Sequence, residues 1–285
     1  AERKGSGKQK IHMIQNLLKK LGLVPTTPRS TLRLLNLGCG GHFHSDWVNV
    51  DIAPHDPRVL QHDLQSRLPF EDSSFAAVYH SHVLEHIPKS QAAAFLNECH
   101  RVLAPGGVLR VVVPDLEMIT RLYLKYLDEA VAGDEEAAKR HEWMTLELLD
   151  QMVREESGGE MLKYWRQNPM PAEDFVIERF GREVLNHLGP IRAAQLNKVS
   201  SEVTIEAPQA SAQEIGRFRQ EGEVHKWMYD RWSLNLLLKS CGFFDFKVCK
   251  ANESEIPNFS NYELDTSPDG SVRKPDSIFV EAIKP

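Results

Sequence analysis

The amino-acid sequence predicts an α/β chain built on a doubly wound, mostly parallel sheet, with a long helical insert ahead of its last two strands. Three observations carry that expectation. The apolar run Leu34–Leu37 breaks into Gly38-Cys39-Gly40, and a second apolar run, Trp47–Val50, ends on the carboxylate Asp51. Short apolar runs then recur with helical material between some of them, as a sheet with helices on its faces requires. From Leu116 to Glu223 that alternation stops, and apolar residues recur at helical spacing.

The elements follow in order. Ile11, Ile14, Leu17, Leu18 and Leu21 share one helical face, Gly22 stops the helix, and Pro25 and Pro28 mark a loop; a cap packed on the sheet is expected. Strands are expected at Arg33–Leu37, Trp47–Val50, Val59–His62, Ala76–His80 and Gly107–Val113, with a helix over Lys89–Leu103. Their carboxyl ends carry Gly38, Asp51, Asp63, His80 and Pro114, and an open parallel sheet binds ligands in the crevice outside those ends. Helices are then expected over 116–131, 134–156 and, after the Pro169–Pro171 break, 172–188, with a last one over Trp232–Ser240. The organisation is an N-terminal helix and linker (1–30), an α/β core (31–115), a helical insert (116–223) and a C-terminal helix with a strand hairpin completing the core (224–285). The insert lies where a lid over a second ligand belongs; a homodimer interface is its other reading.

Composition narrows the function classes. At 285 residues with 41% apolar and 26% charged residues, the chain suits a soluble globular fold with a sizeable core. A net charge of −6 argues against nucleic acid as a partner. Cys39, Cys99, Cys241 and Cys249 show no Cys-x-x-Cys spacing, which points to reduced thiols in a cytoplasmic setting. No run approaches the roughly 20 apolar residues that span a bilayer, and no signal-peptide pattern is visible.

The first glycines let the backbone turn beside a ligand with no Cβ in the way, and Asp51 can accept from ribose hydroxyls; together they suit an adenosine-like ligand. Asp63-Leu64 adds a carboxylate for an adenine amino group and a backbone N–H for a ring nitrogen. The other reading of Asp63 is a turn cap. His82-x-x-Glu85-His86 matches the spacing of inverted zinc proteases, in which two imidazoles bind zinc and the glutamate is the base. That reading needs an exposed helix, whereas this segment directly follows a strand and Pro88 cuts it short.

Leu34–Gly40, Asp51, Asp63–Val78, His82–His86 and Arg101–Gly107 resemble the class I S-adenosylmethionine-dependent methyltransferases, continuously from about Leu32 to Asp115. A weaker resemblance at His225–Asp230, Leu236–Phe243 and Ser277–Pro285 is to a subgroup associated with surface-polysaccharide and natural-product clusters. The resemblance implies a seven-stranded Rossmann-like sheet with the insert between strands five and six. It implies S-adenosyl-L-methionine as cofactor and S-adenosyl-L-homocysteine as product. It sets Gly38, Cys39 and Gly40 against the methionine part, Asp51 and Ile52 at the ribose, Asp63 and Leu64 at the adenine, and His80 beside the methyl group. Val83–His86 would begin the helix after strand four. The chain departs from the family at Asn36, where an acidic residue is frequent, and at Ala76, where an aspartate is usual.

An acceptor hydroxyl needs its proton removed, and an imidazole titrates near neutral pH. His80, His82, His86 and His225 are therefore candidates. His225 ranks first, in a segment where charged and aromatic residues cluster, with His82 second and Lys226 and Tyr229 as acceptor contacts, Tyr229 and Trp227 having a place in the core as their other reading. The expected activity is methylation of a small-molecule or sugar-like acceptor on oxygen, with no metal assigned. Transfer to an amine or a peptide carboxylate, or a silent cofactor-binding partner subunit, are the alternatives.

Overall fold

The computed structural model describes residues 33–197 and 210–285; the helix expected over 11–21 and its linker lie outside the described residues. Five strands come first: β1 (Arg33–Leu37), β2 (Trp47–Asp51), β3 (Val59–Gln61), β4 (Phe75–Ser81) and β5 (Leu103–Pro114). The helix α1 (Lys89–Val102) joins the last two. The insert contributes α2 (Leu116–Val131), α3 (Glu135–Val153), α4 (Gly159–Trp165), α5 (Glu173–Phe180), α6 (Arg182–Asn197) and α7 (Ala212–Phe218). The chain closes with α8 (Arg231–Ser240), β6 (Phe244–Cys249) and β7 (Ser277–Ile283).

All seven strands form one sheet in the order β3-β2-β1-β4-β5-β7-β6. The pairs β1–β2, β2–β3 and β4–β5 are parallel, while β7 runs antiparallel to both β5 and β6. Strand order reverses between β1 and β4, so the crevice of an open α/β sheet falls at their carboxyl ends. Because β7 runs backwards, with Ser277 opposite Pro114, its beginning lies at that same edge. The last two strands are therefore no tight hairpin; residues 250–276 connect them and arrive at the crevice.

Both faces of the central strands are buried, while the edge strands β3 and β6 are largely exposed. Along β5, Leu109, Val111 and Val113 join the core under α1 and α8, while Val108 and Val112 join Trp47, Tyr79, Phe259 and Phe279 on the other side. That two-sided burial is why β5 reads as a continuous apolar run. The insert has its own core around Trp143, Met144, Tyr164, Trp165 and Phe180.

Three local expectations change. Val83 does not begin a helix: Leu84–His86 is a single 3-10 turn, and Pro88 caps α1 instead. A residue before proline is pushed out of the helical region, and Ile87 sits at φ −89°, ψ 130°. The stretch 172–188 is two helices, because Gly181 takes φ 57°, ψ −133° between Phe180 and Arg182. A short helix, α4, follows α3, opened by Gly158 at φ 78° and joined to the end of α3 where Asp150 accepts from Glu160 N–H at 2.7 Å.

Candidate functional site

Backbone requirements build the first half of the site. Asn36 is buried in β1 and donates to Asn49 Oδ1 at 3.1 Å, which ties β1 to β2. The N–H groups of Gly38 and Cys39 both donate to the Val50 carbonyl, at 2.8 and 3.2 Å, so the turn folds over the end of β2. Gly38 takes φ +65°, and a Cβ there would lie 2.3 Å from Val83 Cγ2. Gly40 also has positive φ, but nothing stands within 4 Å of its missing Cβ. One glycine permits close packing, and the other faces open space. Asp51 Oδ2 accepts from Gly40 N–H at 2.8 Å and Oδ1 from Ala53 N–H at 3.0 Å, leaving lone pairs for further donors. Ile52 beside it is 62% exposed. Asp63 accepts from Gln65 N–H at 2.9 Å and so caps its own turn, next to half-buried Leu64.

A cavity of about 230 Å³ opens at the ends of β1 and β4, walled by Asn36, Gly38, Cys39, Ser81 and His82 and, from the loop before β7, by Arg273 and Lys274. Burial, then the Asp51 charge, pushes the Cys39 thiol up to about 11, so it is present as the neutral thiol. Asp51, Ile52, Asp63 and Leu64 lie outside that wall, at the ends of β2 and β3. His80 is not in it either. Successive strand residues face opposite sides, and His80 points toward α1, fully buried with its ring 5.1 Å from that of Phe95. Neither of its ring nitrogens has a partner, and burial alone drops its pKa to about 3. The residues that reach the cavity from this strand are Tyr79 and Ser81.

A second cavity, about 380 Å³, lies where the insert meets the crevice. Its wall includes His82, His86, His225, Arg154, Trp165 and Lys274, and His82 and Lys274 border both chambers. His82 sits at φ 54°, its Nε2 2.8 Å from Ser277 Oγ and its Nδ1 3.2 Å from Glu85 Oε1. Burial above all, with the charges of Lys274 and His225 adding, holds His82 neutral far below the usual histidine range. Glu85 is fully buried with no aligned donor on either oxygen, and burial pushes its carboxyl up to about 8.

His225 arrives from far along the chain. The Lys226 and Trp227 N–H groups donate to the Glu85 carbonyl at 2.6 and 3.1 Å, and His225 N–H to the Gln151 carbonyl at 2.9 Å. These bonds pin residues 225–227 between the 3-10 turn and α3. The His225 ring is buried, edge-on to His86 at 4.8 Å, and desolvation followed by the His86 charge holds its pKa well below normal. The two histidines expected to be catalytic thus share one chamber.

The two expected acceptor contacts do not reach it. Lys226 donates its ammonium to the Arg219 carbonyl, and Tyr229 is 3% exposed in the main core, its phenol pushed to about 12 by burial and then by the Glu85 charge. Neither borders either cavity. Arg273 and Lys274 escaped the sequence reading because nothing periodic marks them; only a basic pair before Pro275 in an acidic chain hints at them. For Glu85 the sequence offers a protease base or a place at the start of the helix after strand four, and neither reading marks it as a buried cavity-side carboxyl.

Comparison with known proteins adds three findings. Residues 35–111 match the family model described as a methyltransferase domain. A "Probable S-adenosylmethionine-dependent methyltransferase" of Mycolicibacterium smegmatis is 42% identical over a 100-residue match covering 29% of this chain and 38% of that protein. The match therefore spans less than half of the relative's length. Among solved structures, a SAM-dependent methyltransferase from Archaeoglobus fulgidus overlaps with a TM-score of 0.38 at 11% identity, over 96% of this chain and 94% of that one. At such a score the overlap says nothing about the site.

Proposed function

We propose that the chain is a class I S-adenosylmethionine-dependent methyltransferase, an enzyme methylating a small-molecule or sugar-like acceptor on oxygen; the methyltransferase-domain match over residues 35–111 supports this reading. The observation that carries this reading is the pair of chambers meeting at His82 and Lys274: one beside the glycine turn, the other walled largely by the insert. A donor chamber and an acceptor chamber sharing a wall is what an in-line transfer requires.

The residues fit S-adenosylmethionine. Gly38 lets the turn pack directly on Val83, Gly40 faces open space where the ligand can approach the backbone, and Asp51 has acceptor capacity to spare. In this reading Asn36 and the turn Gly38–Gly40 hold the methionine part, Asp51 and Ile52 the ribose, and Asp63-Leu64 the adenine. When bound, the sulfonium supplies an already activated methyl group, so the protein's share is positioning and exclusion of water. The insert serves as the lid.

An acceptor hydroxyl must lose its proton. His225 and His82 are both held neutral by burial and so are free to accept, but the same burial weakens them as bases. General-base help reaches ~10²–10⁴-fold where the pKa lies near the working pH, which places the proton's removal with whichever imidazole substrate binding makes the more basic. The free cysteines go with a cytoplasmic setting. Among the described residues no helix is long and apolar enough to cross a membrane.

The test has two arms. Calorimetric titration with S-adenosylhomocysteine should give saturable binding. Labelled methyl donor, incubated with a panel of hydroxyl, amine and carboxylate acceptors, should label hydroxyl compounds. Labelling of amines alone would overturn the oxygen assignment, and absence of S-adenosylhomocysteine binding would overturn the enzyme reading itself.

A further inference from the structure

We propose that Glu85, His86 and His225 form a binding site for a divalent transition-metal ion in the wall of the second cavity. One ligand atom from each lies within 4.8 Å of the other two. Zinc-type ions hold carboxylate and imidazole ligands at about 2.0–2.2 Å, which sets ligand atoms about 3–3.5 Å apart, so a modest inward movement closes the cluster on an ion.

Hydrogen-bond accounting points the same way. Both Glu85 oxygens, His86 Nδ1 and His225 Nε2 are buried with no aligned hydrogen bond, although His82 Nδ1 stands 3.2 Å from Glu85 Oε1. Glu85 is 0% and His225 3% exposed. Buried polar atoms are nearly always partnered, and a carboxylate and two imidazoles left without aligned hydrogen bonds in one cluster suit a shared cation. The surrounding cations do not supply it. Arg154 is paired with Asp150 and Glu223, Lys274 with Glu183, and Lys226 with the Arg219 carbonyl.

The backbone also holds the ligands in register. Two come from the 3-10 turn, and the third is pinned to that turn through the Glu85 carbonyl. The carbonyls of Val224 and Gly222 lie against the His86 ring, the sort of neighbour that fixes a metal-binding imidazole's orientation. His82 Nδ1, 3.2 Å from Glu85 Oε1, stands ready as a further ligand or as that carboxylate's support.

Two imidazoles and one carboxylate suit zinc, manganese, iron or cobalt better than calcium or magnesium, which favour all-oxygen shells. Three protein ligands leave coordination positions open. Because His86 and His225 border the cavity, those positions face the chamber assigned to the acceptor. The ion would there hold an acceptor oxygen and lower its pKa. That role rests on the methyl-transfer reading; the ion site does not.

The experiment uses the full chain, stripped with chelator and titrated with Co²⁺ and Mn²⁺. Visible absorption and electron paramagnetic resonance report binding, and emission spectrometry reports stoichiometry. One ion per chain is expected, with affinity at least tenfold weaker in Glu85→Gln and in His225→Asn. His86→Asn is the third variant, should one of the others fail to fold. Calorimetry with S-adenosylhomocysteine on the same samples separates the two readings. Intact nucleoside binding without stoichiometric metal, or metal binding equal in wild type and folded variants, overturns the ion site alone. Stoichiometric metal without nucleoside binding upholds the site and removes the methyl-transfer reading.

Discussion

Replacing Gly38 by alanine isolates the packing that shapes the cofactor turn. Two costs are legible. The residue sits at φ +65°, where a side chain costs ~1–2 kcal/mol. The new Cβ would also fall 2.3 Å from Val83 Cγ2, well inside contact distance. Val83 cannot swing away cheaply, because its β-branched side chain is confined at χ1 and packed in the main core. Overpacking of that kind costs ~1–3 kcal/mol. Together the substitution should destabilise the fold by about 2–5 kcal/mol, measured by urea unfolding.

The pair Gly38→Ala and Val83→Ala tests the reasoning. If the clash contributes, the double variant should recover at least ~1 kcal/mol relative to the sum of the single variants, while the φ strain stays. Gly40→Ala is the contrast. It carries the strain without the clash, so stability should fall by only ~1–2 kcal/mol, while S-adenosylhomocysteine affinity should fall in parallel because the new methyl points into the open space. A Gly38→Ala protein within about 0.5 kcal/mol of wild type, or one whose loss is unaltered by Val83→Ala, would refute this account of the turn.

Asp51→Ala removes the acceptor for the Gly40 and Ala53 N–H groups and should weaken S-adenosylhomocysteine binding at least tenfold by calorimetry, in keeping with ~1.5–3 kcal/mol for a charged hydrogen-bond acceptor. His80→Leu should leave that affinity unchanged but reshape acid stability. The folded pKa of about 3 lies below the ordinary 6.5, so protons bind the unfolded chain preferentially and stability is lost as pH falls through this window. Removing the imidazole should therefore spare ~2 kcal/mol at pH 5 relative to pH 7.5, read from urea midpoints. Arg110→Met leaves Asp265 and Glu281 buried without their shared cation and should cost ~3–5 kcal/mol. That loss should be smaller at pH 5 than at pH 8, because burial already raises the Asp265 pKa and a protonated carboxyl needs no counter-charge.

What the sequence disclosed was governed by the range of the forces involved. Strand period, the glycine turn and the break at Pro169–Pro171 are local, and β1, β2 and α2 stand within a residue of where periodicity placed them. The side on which His80 would fall was equally available, since Tyr79, His80 and Ser81 must alternate across the sheet. Assigning the strand's polar end to the crevice ignored that period. Lys226 and Tyr229 lie outside both cavities for a different reason. Proximity to His225 in sequence says little in an irregular segment, and there the Glu85 carbonyl fixes the backbone while Tyr229 turns into the core.

The second chamber was beyond local reasoning altogether. The motif His82-x-x-Glu85-His86 showed its three side chains, but their meaning depends on His225, which reaches them only after the insert has folded and the chain has returned. Arg273 and Lys274 depend likewise on β7 running antiparallel, a property of the whole sheet. A carboxylate at the start of a strand-to-helix connection costs little when solvated. Glu85 becomes chemically informative only once the returning segment has sealed it beside His86 and His225, and its buried oxygens, without an aligned hydrogen bond, then favour either a proton or a cation.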